Sequence, residues 1–371
     1  MARAVALLSG GLDSTLAILV LLRQGIDVTA VTFLTHFGCD ISDSSSCSTN
    51  PFPAAEKFGF EVKLSHLAER FIEIVKNPKY GYGRNMNPCI DCRILMLREA
   101  KGLMGMIGGD FVITGEVLGQ RPMSQRRDTL NIIDREAGLK GYVLRPLSAR
   151  LLTETFPEKE GLVKREMLYS FNGRSRKPQM ALAKELGLTD YAAPAGGCLL
   201  TEPNFSFRLK ELLAHNPDPS LNDLHLLRVG RHFRLSLTCK AIVGRDEGEN
   251  ETIESLAGKG SYLLRVGNVG SPVVLLSGGG SDGFLSLAAS LCARYSDAKH
   301  LAEVEVTVCK GCNALCVTSD ELGKNICRRS RVTDHTSKIT VHAASDELIE
   351  MLRIQKPDSD SGKSVKKNVT A

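Results

Sequence analysis

No run of about 18 apolar residues occurs in the 371-residue chain, so no segment has the length needed to cross a bilayer as a helix. The first apolar run, "AVALL", gives way at once to "SGG", too early for the apolar core of an export signal, and a cytoplasmic protein is expected. The first glycine turn lacks the Gly-Lys-Ser/Thr of a Walker loop and the spacing of a G-x-G-x-x-G fingerprint, which sets aside two common nucleotide-binding motifs at that point. No internal repeat is evident.

What is present is an ordinary composition with two biases. With 43% hydrophobic and 24% charged residues, the chain can bury a substantial core and is long enough for two domains. Eleven cysteines behind no export signal read as thiols, metal ligands or redox groups rather than as a disulfide framework. The net charge is only +5, yet between Arg121 and Lys177 thirteen Lys/Arg stand against seven Asp/Glu, an excess larger than that of the whole chain. A face of this kind suits a phosphate backbone, or is simply a solvated helical surface.

The opening segments alternate in period. "RAVALLSG" and "DVTAVTFL" are strand-like, and "STLAILVLLRQG" between them is helical and ends at Gly25. "FEVKLSHL", the helical "RILMLREAKGLMGMIGG" and the strand "DFVITGE" continue the alternation, which predicts an α/β fold with a mostly parallel sheet wrapped by helices. Ligands of such sheets lie beyond the carboxyl ends of the strands, where "SGGLDS" and "TGE" both fall. Residues 1–202 are expected to form this domain and residues 203–225 a linker helix. A smaller α+β domain is expected over 226–355, with strands in "HLLRVGRHFRLSLTCKAIVG", "SYLLRVG" and "SPVVLLSG", and a polar, disordered tail over 356–371.

A strand followed by a glycine turn that opens a helix aims backbone N–H groups and the positive end of the helix dipole at one spot, where phosphate binds. Gly10 and Gly11 allow close backbone approach, Ser9, Ser14 and Thr15 offer hydroxyls, and Asp13 is placed to hold Mg²⁺. "SGGLDS" behind a first strand resembles the pyrophosphate loop (PP-loop) of the ATP pyrophosphatases, which cleave ATP between the α and β phosphates and adenylate a substrate. "TGEVLGQRPMSQ" resembles the "TGE-x-LGQ" segment of tRNA 4-thiouridine synthetases. The likeness covers about residues 3–202 and implies a parallel-sheet PP-loop (adenine nucleotide alpha hydrolase-like) domain followed by the smaller α+β domain. It implies ATP contacts at Ser9, Gly10, Gly11, Leu12, Asp13, Ser14 and Thr15, with Thr32, Phe33, Thr114, Gly115 and Gln120.

"NPCIDCR" supplies Cys89 and Cys92 just before a helix, and "PAGGCLLTEP" supplies Cys198. The helix dipole and Arg93 are expected to favour thiolates at the pair, and Gly196 and Gly197 to let Cys198 bend in. The residues alone leave three readings: a disulfide-cycling pair with a persulfide-carrying cysteine, a zinc site lacking its fourth ligand, or a [4Fe–4S] cluster on three cysteines. The resemblance to cluster-dependent tRNA thiolation enzymes favours the cluster. It implies a tRNA uridine sulfurtransferase with catalytic Asp13, Cys198, Cys92 and Cys89. Such an enzyme turns ATP to AMP and pyrophosphate and takes sulfur from sulfide or a persulfide carrier. Arg121, Arg126, Arg127, Arg174, Arg176 and Lys177 are the candidate contacts to the tRNA backbone.

Long-form 4-thiouridine synthetases carry an RNA-binding extension before the loop, so RNA capture here is expected from the second domain. There "LLRVGRHFRLSLTCKAIVGRDEGENETI" resembles, more weakly, the RNA-binding region of NFACT-type proteins. Cys309, Cys312, Cys316 and Cys327 crowd that domain's late segment, either as a Zn²⁺ or second cluster site or as unpaired thiols. Two rival readings stand beside the sulfurtransferase. One is a PP-loop ligase passing ammonia to a small acid, although no glutaminase segment is evident; the other is an RNA-binding adaptor with a vestigial loop. No membrane partner is expected, and an oligomer is compatible with the sequence.

Overall fold

The computed structural model describes residues 1–37, 50–191, 198–310 and 336–355. The chain divides into two compact units, Met1–Glu202 and Pro203–Ala371. Among the described residues no helix is long and apolar enough to cross a membrane.

The first unit is an α/β layer. Its strands β1 (Arg3–Leu7), β2 (Asp27–Leu34), β3 (Glu61–His66), β4 (Phe111–Thr114) and β5 (Val143–Leu144) make one sheet in the order β3-β2-β1-β4-β5, parallel at every pairing. Between them run α1 (Leu12–Leu22), α2 (Phe52–Phe58), α3 (Ala68–Lys76), α4 (Cys89–Ile107) and α5 (Arg127–Glu136), with α6 (Phe156–Lys159) and α7 (Lys177–Glu185) after the last strand. The central strands are buried on both faces, as "AVAL" and "VTAVTF" require, because helices cover a parallel sheet on either side. Helix α1 is apolar nearly all round: Leu12, Leu16, Ala17, Ile18, Leu19, Val20 and Leu21 join Ala4, Ala6, Val28, Ala30, Phe111 and Ile113 in one core. It is therefore anchored where its N-terminus serves the site. Helix α4 begins at Cys89, four residues before the sequence pattern announced it, so that both cysteines of the pair lie in its first turn.

The second unit is α+β. Two helices, α8 (Pro203–His215) and α9 (Leu221–Leu226), stand where one linker helix was expected, because "NPDPS" interrupts the run and Ser220 caps the second. Strands β6 (Arg231–Arg234), β7 (Lys240–Val243), β8 (Tyr262–Val266), β9 (Val274–Ser277), β10 (Val304–Lys310) and β11 (Thr336–Val341) form an antiparallel sheet in the order β11-β10-β8-β9-β7-β6. Alternation along these strands sends Ala241, Val243, Leu264 and Leu276 to one face, beneath α11 (Asp282–Arg294). Ile242, Leu263 and Leu275 go to the other, beneath α9 and α10 (Glu247–Leu256). Helix α12 (Asp346–Leu352) closes the chain, and Ile354 N donates to the His232 carbonyl of β6.

Candidate active site

The SGGLDS segment has the conformation its residues suggested. Gly10 adopts φ 71°, in the left-handed region, and Gly11 is the extended N-cap of α1 with no side-chain cap. Ser14 Oγ donates to the Gly11 carbonyl at 2.9 Å and lies 3.2 Å from Ser9 Oγ, and Thr15 Oγ1 donates to the same carbonyl at 3.1 Å. These bonds close the turn upon itself. Thr32 at the end of β2 is buried and gives its hydroxyl to the Leu8 carbonyl at 2.9 Å, so it braces the loop's own strand. Phe33 beside it is buried as well.

The segment 114–125 is the hinge of the site. At Gly115 a Cβ would stand 2.5 Å from the Cα and N of Ser14 and 2.6 Å from the carbonyl carbon of Asp13, so only glycine lets the two loops touch backbone to backbone. Gln120 Nε2 donates to Asp13 Oδ2 at 3.0 Å, whereas the buried Asp13 Oδ1 has no hydrogen-bond partner among the described residues. Thr114 Oγ1 donates to Glu116 Oε2 at 3.1 Å. Glu116 is itself buried in a network that sequence reasoning missed. Arg145 Nε donates to its Oε2 at 3.0 Å, Arg145 grips Asp134 through two bonds of 2.8 Å, and Arg93 Nε faces Glu116 Oε1 at 3.7 Å. Burial opposes the charge on Glu116, but Arg145 and Arg93 outweigh it and hold the carboxyl below the ordinary carboxylate range. The available signal was Arg145 itself, a lone charge inside the apolar "YVLRPL".

Cys89 opens α4 within range of both Arg93 and Arg121, but burial outweighs the two cations and pushes its thiol up. The expected stabilised thiolate is thereby corrected at this residue: the dipole and arginine argument ignored the loss of water. The turn before Cys89 is tied to the segment after Cys198, since Met86 N donates to the Leu200 carbonyl at 3.2 Å and Asn85 Nδ2 to the Thr201 carbonyl at 2.6 Å. Cys198 Sγ donates to the Phe37 carbonyl at 3.7 Å, just beyond β2. The elements bearing Cys89, Cys92 and Cys198 are thus brought together. Yet among the described residues no three His, Cys, Asp or Glu side chains gather as a ligand set.

Of the basic residues, Arg121, Arg126, Arg127, Arg174 and Lys177 are exposed and Arg176 is half-buried. The two clusters come together because Leu118 and Asn172 form a parallel bridge and Gly173 N donates to the Leu118 carbonyl at 2.8 Å. In the second unit Cys309 lies on β10, in register with Leu263 and Thr336, while Cys312, Cys316 and Cys327 fall outside the described residues, as do Gly196, Gly197 and the expected tail.

Residues 1–150 match the family model described as thiamine biosynthesis protein (ThiI), and residues 230–319 match the NFACT protein RNA binding domain. A tRNA-specific 2-thiouridylase MnmA of Herpetosiphon aurantiacus is 28% identical over 72% of this chain and 74% of its own length. A bifunctional protein NifU/MnmA of Rubrobacter xylanophilus is 31% identical over 41% of this chain, a match that spans only 32% of that longer protein. A solved 4-thiouridine synthetase–RNA complex with bound ATP shares 20% identity over 50% of this chain and 52% of its own, with a TM-score of 0.32, too low to bear on the geometry. The two family matches fall one on each unit, the first of them on the strand–SGGLDS–helix turn. Residues 1–150 are thus similar to the ThiI family and, with the MnmA relatives, to PP-loop tRNA thiolation enzymes, and residues 230–319 are similar to the NFACT RNA binding domain.

Proposed function

We propose that this protein is an ATP-dependent tRNA uridine sulfurtransferase. The observation that carries the reading is the segment 114–125, which contacts the SGGLDS loop at Asp13 and Ser14 and brings Arg121 into range of Cys89. A nucleotide loop with no thiol beside it would serve any ligase; thiols at the same hinge suit sulfur transfer.

The chemistry runs in two displacements. The uridine carbonyl oxygen attacks the α-phosphorus of ATP held on residues 9–15, and pyrophosphate leaves. Sulfur then attacks the activated ring carbon, and AMP departs with the original oxygen. Mg²⁺ accompanying ATP would offset phosphate charge, and Asp13 Oδ1, buried and without a hydrogen-bond partner among the described residues, suits holding it. If the donor is sulfide, no protein oxidation is needed. With a persulfide carried on Cys198, its terminal sulfur bonds to carbon, and Cys89 or Cys92 attacks the Cys198 sulfur as the S–S bond breaks, leaving a protein disulfide that an external thiol reduces. A [4Fe–4S] cluster on Cys89, Cys92 and Cys198 requires the three sulfurs to meet at one point. Among the described residues they do not form such a set. Capture of the tRNA falls to the second unit and to the basic residues beside the hinge, a salt-dependent contribution.

The test is anaerobic incubation with ATP, Mg²⁺, sulfide and unmodified tRNA, reading thionucleoside by mass spectrometry and AMP by chromatography, with iron and sulfide analysis of the same preparation. Thiouridine in proportion to AMP, lost in Cys198→Ala, supports the proposal. AMP formed without thionucleoside, with a small acid consumed instead, would replace it by the ligase reading. About four irons per chain, lost in Cys198→Ala, would restore the cluster.

A further inference from the structure

Glu116 joins the two halves of the site through unequal contacts. Its Oε2 is fixed by Thr114 Oγ1 and by Arg145, which Asp134 in turn holds through two bonds. Among the described residues its Oε1 accepts no hydrogen bond, and the Nε of Arg93 stands 3.7 Å from it on a side chain 30% exposed. The Arg145 side is rigid, whereas the Arg93 side is loose and has room to tighten by nearly 1 Å toward the 2.9 Å of an ordinary charged hydrogen bond. Arg93 directly follows Cys92 at the end of the first turn of α4, so a pull on its guanidinium acts on the backbone beside the pair. One residue before Glu116, Gly115 rests on the Asp13–Ser14 backbone without space for a methyl group, so any shift of the SGGLDS turn toward Gly115 must displace the hinge.

We infer that Arg93 is a positioning residue that transmits nucleotide occupancy of the SGGLDS loop, through Gly115 and Glu116, to the turn carrying Cys89 and Cys92. The inference rests on the PP-loop nucleotide reading of residues 9–15 and goes beyond it by joining ATP binding to the readiness of the thiols. Sulfur delivery would then be timed to the adenylated substrate. Coupling of this kind is reciprocal: a change at the thiols alters nucleotide affinity by the same factor.

The experiment measures alkylation of Cys89 and Cys92 by iodoacetamide, peptide by peptide, in the full-length protein with and without a non-hydrolysable ATP analogue and Mg²⁺. Wild type, Arg93→Gln and Arg93→Lys are compared, and a separate titration gives the analogue's Kd for each. The partly exposed Arg93 makes both variants compatible with folding, unlike substitutions at buried Glu116 or Arg145. The analogue should change the wild-type rate about fivefold or more, the low end of ordinary coupling energies. Arg93→Gln should abolish that change while still binding the analogue, and Arg93→Lys, which keeps the charge, should retain part of it. Simple shielding of the thiols by bound nucleotide would persist in Arg93→Gln, and that result overturns the inference. So does a wild-type protein that binds the analogue with no change in rate. Absence of analogue binding in the wild type would remove the nucleotide reading itself, and is seen independently in the titration.

Discussion

Gly115→Ala is the most discriminating single change the structure offers. The added methyl would sit 2.5 Å from Ser14 Cα and N and 2.6 Å from the Asp13 carbonyl carbon, all backbone atoms with no rotamer to turn aside. Restoring ordinary contact near 3.5 Å requires the two loops to part by about 1 Å. Overpacking of this kind costs roughly 1–3 kcal/mol of stability. Its effect on function should be larger, since a displacement of about 1 Å at a reacting group can cost on the order of 10²-fold in rate. Because the methyl presses on the backbone of Asp13 and Ser14 themselves, ATP affinity should fall together with AMP production. Gly141→Ala is the control: Gly141 has φ 83° and, among the described residues, nothing within 4 Å of the added methyl, so it carries left-handed strain of about 1–2 kcal/mol without touching the loop. Thermal unfolding and calorimetric titration with an ATP analogue are measured on both variants. The expected pattern is a similar loss of stability in both and a loss of nucleotide affinity in Gly115→Ala alone. If Gly115→Ala binds the analogue like wild type, the backbone contact between the two loops is not what holds the ATP site.

Three further outcomes follow from the same geometry. Arg145→Met strands Glu116 and Asp134 as buried carboxylates and should destabilise the protein by about 3–5 kcal/mol in urea unfolding followed by circular dichroism; a loss below about 1 kcal/mol would refute the network. Lys240 on β7 is 7% exposed, and burial pulls its ammonium down to about 8 from 10.5. Between those two values the unfolded chain binds more protons than the folded one, so Lys240 should add about 3 kcal/mol of stability as pH rises from about 8 to 10.5, a gain absent from Lys240→Met. Parallel pH profiles of the two proteins would contradict the burial. Arg121→Gln and Lys177→Gln should each reduce the slope of log affinity for tRNA against log salt by about 1; unchanged slopes would remove those residues from the RNA interface.

What could be read from the sequence was what neighbouring residues decide. The turn of residues 9–11, the helix behind it and the boundaries of β2 depend on glycines and apolar periodicity within a few positions, and they stand where the pattern put them. The strand "VEVTVCK" carries the same kind of signal, with Val304, Val306 and Val308 buried in strict alternation, and it could have been recognised as β10. The network of Arg93, Glu116, Asp134 and Arg145 could not, because its four members come from four segments, brought together by the parallel pairing of β4 with β5 and the packing of α4 and α5. The Cys89 thiol shows why this matters for chemistry. A helix N-terminus and an adjacent arginine are local and argue for a thiolate, but the loss of water around the sulfur is a property of the folded unit, and it is the larger effect. A neutral thiol attacks more slowly than a thiolate, so the burial that shields Cys89 also slows it. Of the two cations that oppose that burial, Arg93 and Arg121, Arg93 also faces the Glu116 carboxylate of the nucleotide hinge.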